Sequence, residues 1–164
     1  MTRIGLISDT HGTLNPKVFD LFAQVEYILH AGDVGDDHIL EMLESMAPTF
    51  AVSGNTDGIP IVRRPLRFSR ELGGVRICMT HGHLLDSDDT NLSAYLMFQE
   101  DKPRVIVLGH THVAQSKLIA DVLFVNPGSA SRSRLEGEKP SVAILEIAVD
   151  GEITVKFHSL PTGK

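Results

Sequence analysis

The sequence GLISDTHG, residues 5–12, joins an apolar segment directly to an acid and an imidazole that stand two residues apart. Residues 4–7 have the length and composition of a buried β-strand, and Asp9 and His11 follow closely. Ligands of open α/β sheets bind beyond the carboxyl ends of the strands. The stretch therefore predicts a strand whose end carries two coordinating side chains.

Four further predicted strands end in the same kind of cluster. The strands at 27–30, 49–53, 75–80 and 104–108 lead in turn to Asp33, to Asn55 and Asp57, to His81 and His83, and to His110 and His112. Residues i and i+2 of an extended chain point the same way. We therefore expect each D-x-H or H-x-H pair to present two ligands to one site.

The residue types indicate a metal site with oxygen and nitrogen ligands. The expected ligands are Asp9, His11, Asp33, Asn55, His81, His110 and His112. Such groups suit manganese, iron, nickel, cobalt or zinc better than thiophilic ions. Seven ligands are too many for one ion that also leaves room for substrate, whereas two ions about 3.5–4 Å apart can share a carboxylate. We predict two divalent ions, Mn²⁺ first among the alternatives, with Asp33 as the bridge.

A second D-x-H sequence shows why a single motif is weak evidence. Residues 36–38 also read Asp-Asp-His, but they lie at the predicted start of a helix. We expect Asp37 and His38 to be solvated there. The prediction of a metal site therefore depends on finding coordinating residues directly after several separate predicted strands.

The remaining pattern predicts an α/β fold with two kinds of topology. Strands at 3–8, 27–30 and 49–53 alternate with helices that begin near 15 and 36, which favours parallel pairing. Hairpins are expected around 73–74, 120–121 and 150–151, where turn residues separate apolar runs. A helix at 89–100 should turn Leu92, Tyr95 and Leu96 inward, and residues 129–139 read as a long loop.

Length and composition favour one ordinary globular domain spanning residues 1–164. The net charge of −6 argues against a broad nucleic-acid-binding surface. The single cysteine, Cys78, excludes an internal disulfide. No apolar run approaches the length of a signal peptide or a membrane span, so we expect a cytoplasmic protein. A homo-oligomer is left open.

The ordered motifs resemble the calcineurin-like metallophosphoesterase family. The family pattern D-x-H, G-D-x-x-D, G-N-H-[E/D], a histidine after a strand and G-H-x-H is matched at 9–11, 32–36, 54–57, 81 and 109–112. Residues 126–129, Asn-Pro-Gly-Ser, are similar to the family's closing active-site loop. The short chain is similar to the small YfcE-like phosphodiesterase branch, whose fold Vps29 shares.

The resemblance implies a sandwich of two mixed β-sheets flanked by helices. It implies that Asp9, His11 and His112 hold one ion. It implies that Asn55, His81 and His110 hold the other, with Asp33 as the bridge. The implied activity is hydrolysis of a small phosphodiester by a metal-bridging hydroxide. The candidate catalytic residues are Asp33, Asn55, His81, Asp57 and His83. The alternatives are a phosphomonoesterase or a non-catalytic Vps29-like scaffold.

One departure from the family pattern concerns the leaving group. Thr56 stands where the third motif usually has a histidine, and Asp57 matches the acidic position that follows. His83 is a candidate for leaving-group acid, for substrate contact or for orienting a metal ligand. Arg132, with Arg134, could contact the phosphate beside Asn55, or could be a solvated loop arginine.

Overall fold

The computed structural model describes residues 1–58, 64–132 and 135–162. Within these ranges the strands are β1 (Thr2–Ile7), β2 (Tyr27–His30), β3 (Thr49–Ala51), β4 (Arg67–Leu72), β5 (Val75–Thr80), β6 (Val105–Val107), β7 (Gln115–Ile119), β8 (Val122–Asn126), β9 (Ser141–Ile147) and β10 (Ile153–Ser159). The helices are α1 (Lys17–Leu21), α2 (Asp37–Glu44), α3 (Thr90–Phe98) and a 3₁₀-helix at Gln99–Asp101. None of the helices in the described ranges is long and apolar enough to cross a membrane.

The strands form two mixed five-stranded sheets, as predicted. The first sheet has the order β10-β9-β1-β2-β3, and the second has the order β4-β5-β6-β8-β7. In the first sheet β1, β2 and β3 run parallel, and β9 is antiparallel to β1 and β10. In the second sheet β5, β6 and β8 run parallel between two antiparallel edge strands.

The expected division into a parallel and an antiparallel half of the chain needs correction. The C-terminal hairpin β9–β10 joins the first sheet, beside β1. Nearly every residue of β9 is buried, and a strand with two buried faces must lie inside a sheet. The vacant edge of β1 provides that position, so the last hairpin completes the first sheet.

A continuous apolar core lies between the two sheets. In β1, Ile4 and Leu6 point into this core, whereas Ile7 packs on the opposite face with α1 and α2. In β6, Val105 and Val107 face the same core, and Ile106 packs outward with α3. The period-two pattern therefore buries both faces of the central strands, which matches the predicted sandwich with outer helices.

The predicted inward face of α3 is wrong. Ala94 and Phe98 are buried against the second sheet, whereas Leu92, Tyr95 and Leu96 are exposed. Apolar residues surround this helix on several sides, so their spacing does not identify one buried face. Packing selects Phe98 because the outer surface of the second sheet has room for its ring beside Cys78 and Ile106.

A steric prediction follows from the packing of α1 on the first sheet. A Cβ atom at Gly5 would lie 2.8 Å from Phe22 Cε2 and 2.9 Å from two further ring atoms. Overpacking of this kind costs roughly 1–3 kcal/mol. We expect Gly5→Ala to lower the free energy of unfolding by that amount in urea denaturation.

Gly58→Ala is the matched control, because an added Cβ at Gly58 meets no atom of the described residues within 4 Å. A smaller side chain in Gly5→Ala/Phe22→Leu should relieve part of the clash and give a non-additive double mutant. Equal stability of the Gly5→Ala and Gly58→Ala variants would contradict the packing described here.

Candidate metal centre

The carboxyl ends of strands from both sheets meet at one edge of the molecule. The loops after these strands carry Asp9 and His11 (β1), Asp33 (β2), Asn55 (β3), His81 (β5), and His110 and His112 (β6). The His81 ring joins the two sheets, because its Nδ1–H donates to the carbonyl oxygen of Ala31 at 2.7 Å. The structure therefore brings all seven predicted ligands into one neighbourhood.

Asp9, His11 and His112 form the first group of donors. Asp9 Oδ1 lies 3.0 Å from His112 Nε2 and 3.8 Å from His11 Nε2. Asp9 and His112 are buried, and His11 is half-buried. One carboxylate and two imidazole nitrogens thus face a common point, within reach of a single ion.

The second group gathers around His81. His81 Nε2 lies 3.3 Å from Asp33 Oδ2 and 3.1 Å from Asn55 Oδ1. Asn55 Oδ1 is also 3.1 Å from His110 Nδ1. These contacts bring a carboxylate, an amide oxygen and two imidazoles together, which is the second set that the family resemblance implies.

Both buried carboxylates face both groups of donors. Asp33 Oδ2 lies 3.3 Å from His81 Nε2 and 3.9 Å from His11 Nε2. Asp9 Oδ1 lies 3.9 Å from His81 Nε2, so Asp9 also belongs to a group with Asp33 and His81. The sequence predicted that Asp33 alone is shared by the two groups of donors. In the structure Asp9 also faces both groups.

The backbone at the ligands is left-handed, which corrects the expectation of an extended chain. β1 ends at Ile7 and β6 ends at Val107, before the ligand pairs begin. Five ligands have positive φ angles: Asp9 (55°), His11 (48°), Asp33 (54°), His110 (68°) and His112 (63°). Asp and His adopt this region more readily than most residues. The pairs therefore converge through tight single-residue turns, and the alternation of a strand does not apply.

Backbone hydrogen bonds hold these turns in place. Asp9 N–H donates to Gly32 O, and His11 N–H donates to Asp33 O, each at 3.0 Å. Backbone hydrogen bonds thus connect the loop after β1 to the loop after β2, beyond the point where the two parallel strands end. A left-handed conformation at a non-glycine residue costs on the order of 1–3 kcal/mol of conformational free energy. The hydrogen bonds between the two loops offset that cost.

Glycines allow the loops to approach the ligands closely. A Cβ at Gly54 would collide with the carboxylate of Asp33, and one at Gly32 would lie 2.7 Å from His81 Nδ1. Any larger residue at either position would push a ligand out of place. The glycines beside the motifs therefore serve the geometry of the site as well as its turns.

The carboxylates are held in their charged forms. Burial would raise the pKa of Asp9, but the His112 hydrogen bond, the His81 charge and the Ser8 hydroxyl outweigh it and lower that pKa. Burial likewise opposes ionisation of Asp33, whose pKa is lowered by His81 and by Thr56. The Thr56 N–H donates to Asp33 Oδ1 at 2.9 Å.

The histidines respond to the same charges. Burial would lower the pKa of His81, but the hydrogen bond to Asp33 and the charge of Asp9 raise it. Because Nδ1–H of His81 is bonded to Ala31 O, Nε2 is the nitrogen that faces the carboxylates. This arrangement fixes the ring in the orientation that metal-ligating histidines usually have.

The donor atoms fit a cation. Asp9 Oδ1 and His11 Nε2 are both buried, and His11 Nε2 has no hydrogen-bond partner among the described residues. Asp9 Oδ1 lies 3.0 Å from His112 Nε2 and also faces the Nε2 atoms of His11 and His81 at 3.8 and 3.9 Å. Buried polar and charged atoms are costly unless they are hydrogen-bonded, paired or coordinated to a metal. Two such atoms directed at a shared space, beside the other nitrogen and oxygen donors, match the divalent metal site predicted from the sequence.

Asp57 occupies a different position from the other site candidates. Its side chain is 0% exposed, and its carboxylate accepts hydrogen bonds from the N–H groups of Gly35 at 3.0 Å and Gly54 at 2.9 Å. Arg64 lies beside it, with Nη2 at 3.5 Å. Asp57 therefore faces the backbone of two ligand loops. Its partner Arg64 was not among the residues predicted from the sequence.

His83 lies at the margin of the donor cluster. The ring of His83 is 5.4 Å from that of His81 and 6.4 Å from that of His110. Burial and the His81 charge lower the pKa of His83. Arg132 is exposed and follows the Asn-Pro-Gly-Ser loop, whereas Arg134 is outside the described residues.

The Asn-Pro-Gly-Ser loop closes on the first ligand. The hydroxyls of Ser129 and Ser131 donate to Asp9 O at 3.0 and 2.8 Å. They hold the backbone of Asp9 from the side opposite the loop after β2. The sequence identified the loop, but these two hydrogen bonds depend on the long-range pairing of β1 and β9.

The chain belongs to the calcineurin-like phosphoesterase superfamily. Residues 2–150 match the Calcineurin-like phosphoesterase superfamily domain. A probable metallophosphoesterase of Methanothermobacter thermautotrophicus is 38% identical over 154 residues, with 91% of this chain and 87% of that protein covered. The phosphodiesterase YfcE of Escherichia coli is 30% identical, with 98% and 96% covered.

Solved structures support the fold independently. Vacuolar Protein Sorting 29 from Cryptosporidium parvum superposes with a TM-score of 0.78 and 23% identity, with 98% of each chain covered. At that identity the likeness concerns the fold alone. Together with the sequence match, it confirms the predicted family and its two-sheet architecture.

A buried histidine below the ligands makes stability depend on pH. His30 is fully buried, Gly32 N–H donates to its Nδ1 at 3.2 Å, and its Nε2 lies 3.0 Å from Thr10 Oγ1. Burial lowers the pKa of His30 to about 4. The unfolded chain binds a proton at this residue below about pH 6.5, whereas the folded chain does so only below about pH 4.

We therefore expect the metal-free protein to lose stability as the pH falls from about 6.5 to about 4, by up to the order of 3 kcal/mol from this group. Urea denaturation in EDTA measures the effect. The slope over this range should be smaller in His30→Gln and unchanged in the exposed control His38→Gln. An identical pH profile in His30→Gln and the wild type would contradict the assignment.

Proposed function

We propose that the protein is a phosphodiesterase that depends on two divalent metal ions and hydrolyses a small phosphodiester. The observation that carries the proposal is the convergence of seven oxygen and nitrogen donors, in two groups that share Asp9 and Asp33. Mn²⁺ is the first candidate, and Ni²⁺, Fe²⁺, Zn²⁺ and Co²⁺ suit the same donors. Membership of the superfamily and similarity to YfcE support this function.

The chain's own residues would hold and orient the ions. Asp9, His11 and His112 would bind one ion, and Asn55, His81 and His110 the other, with Asp33 between them. When bound, two such ions supply a nucleophile from water near neutral pH and neutralise charge on the phosphoryl oxygens. Asn55 is exposed, so its amide is also accessible to a phosphoryl oxygen of the substrate.

The charge balance suits an anionic substrate. Two divalent ions would bring four positive charges against the two carboxylates of Asp9 and Asp33. The pocket would be cationic although the whole chain carries a net charge of −6. Arg132 would add a further phosphate contact from the loop after Ser129.

His83 is proposed to contact the leaving group. Thr56 has no ring that could protonate a leaving oxygen, and its N–H donates to Asp33 Oδ1. His83 lies next to His81 and His110, and its buried Nδ1 has no partner among the described residues. These observations support His83 as the imidazole that would assist departure of an alcohol.

Hydrolysis of bis(p-nitrophenyl) phosphate with added Mn²⁺ tests the function. We expect turnover of this diester to exceed that of p-nitrophenyl phosphate, to cease in EDTA and to return with Mn²⁺. Asp33→Ala should lower kcat/KM at least about 1,000-fold, because a ligand common to both ions is removed. Near-normal turnover in that variant would refute the bridging role.

The second D-x-H sequence provides the matched control. His11→Ala should lower kcat/KM at least about 100-fold, whereas His38→Ala should not change it, because His38 is exposed and pairs with Glu41 on α2. Activity on the monoester alone would make the protein a phosphomonoesterase. Inactivity with every divalent ion and no bound metal would favour a scaffold.

A leaving-group series tests His83. If its ring assists the leaving oxygen, His83→Gln should slow a diester with a phenyl leaving group at least about 10-fold more than one with p-nitrophenyl, because the poorer leaving group needs more assistance. Steady-state kinetics on the two diesters measures this ratio. A uniform loss on both substrates would assign His83 to orienting a ligand.

A further inference from the structure

A buried ion pair between Asp57, the last residue of the third motif, and Arg64, which lies outside the motifs, connects two of the ligand loops. Asp57 Oδ1 accepts the N–H of Gly35 at 3.0 Å, and Oδ2 accepts the N–H of Gly54 at 2.9 Å. Gly35 lies two residues after Asp33, and Gly54 directly precedes Asn55. One carboxylate thus fixes the distance between a ligand from the loop after β2 and a ligand from the loop after β3.

Arg64 supplies the counter-charge for this carboxylate. Its Nη2 lies 3.5 Å from Asp57 Oδ1, and its Nη1 pairs with Asp37 Oδ1 at the first turn of α2. The side chain of Arg64 is 8% exposed and that of Asp57 is 0% exposed. A buried carboxylate left without its partner is strongly destabilised, so the position of Asp57 depends on Arg64.

The ligand most sensitive to this clamp is Asn55. It lies at the exposed tip of a turn that is closed by a 3.3 Å hydrogen bond from Asp57 N–H to Gly54 O. Its Oδ1 must stay near both His81 Nε2 and His110 Nδ1, each 3.1 Å away. By contrast, the loop that carries Asp9 is held by the hydroxyls of Ser129 and Ser131.

We propose that Arg64 is a positioning residue which, through Asp57, sets the affinity for the ion held by Asn55, His81 and His110. This inference rests on the proposed two-metal site. It assigns Arg64 no contact with substrate or ion. Its effect should be selective, because Asn55 is assigned to this ion alone and its loop is held by the clamp. Asp33, which is common to both ions, is also held outside the clamp, since its carbonyl oxygen accepts the N–H of His11 at 3.0 Å.

The sign of the effect separates positioning from simple electrostatics. Arg64 is a positive charge near a cation site, so its removal should tighten metal binding if charge alone mattered. Loss of positioning should weaken binding instead. Changes in residues that orient metal ligands typically cost roughly 10–100-fold in affinity.

Calorimetric titration of the metal-free protein with Mn²⁺ tests the proposal without any activity measurement. We expect Arg64→Met to weaken one of the two Mn²⁺ affinities by about 10–100-fold and to leave the other within about threefold. Arg67→Met is the matched control, because Arg67, the first residue of β4, also pairs with an acid, Asp101 at 2.6 Å, but is exposed and does not contact Asp57. Both affinities should stay at the wild-type values in that variant.

Arg64→Lys covers the case in which Arg64→Met does not fold. An ammonium keeps the charge but cannot bond Asp57 and Asp37 in the planar fork of a guanidinium, so we expect an intermediate loss at the same single ion. Wild-type or tighter affinities in the folded Arg64 variants would overturn the proposal. Uptake of fewer than two Mn²⁺ by the wild type would overturn the two-metal function itself, and this inference with it.

Discussion

Two carboxylates, Asp9 and Asp33, are buried against imidazole rings where the ends of both sheets meet, and the structure of the site depends on keeping them charged there. Burial opposes ionisation of each, and neighbouring hydrogen bonds and histidines reverse that effect. Such a concentration of charged and unpaired polar atoms is unfavourable in a dry interior unless cations complete it. The two apolar layers of the sandwich supply the rigidity that holds the carboxylates in this position.

The backbone conformation at the ligands is also unfavourable by itself. Five ligands are in left-handed conformations that strands and helices do not use, and these five lie in the turns immediately after β1, β2 and β6. Hydrogen bonds between the loops, the buried His30–Thr10 contact and the serine hydroxyls on Asp9 O keep these turns in place. Local strain of this kind is typical of functional sites, where the surrounding fold over-determines an unfavourable conformation.

An acidic chain can in this way present a cationic pocket to an anionic ester. The net charge of the chain and the charge of the site are separate properties, because two bound divalent ions would outweigh the two carboxylates locally. Thr56 replaces the usual motif histidine and has no imidazole. His83, whose ring lies beside those of His81 and His110, is the proposed replacement. The Asp57–Arg64 pair bonds the backbone of two ligand loops, so the proposed geometry of the site would also depend on residues that bind neither ion nor substrate.

Much of the site could be read from the chain because ligand types and their place after apolar runs are local properties. Asp9, His11, Asp33, Asn55, His81, His110 and His112 were each identified in this way, and the structure places them together. The left-handed turns were not foreseen, since D-x-H after a strand is compatible with an extended backbone as well. The exposed face of α3 was assigned wrongly because an all-round apolar helix carries no single buried face in its sequence.

The sequence by itself determined the strands, the family and the chemical identity of the donors. The tertiary structure alone decided that β9 pairs with β1, that Phe98 rather than Tyr95 is buried, and that Asp57 meets Arg64. These outcomes depend on which surfaces remain free once the two sheets pack together. Several segments far apart in the chain could pack on the same surface, and the local sequence pattern does not show which of them does.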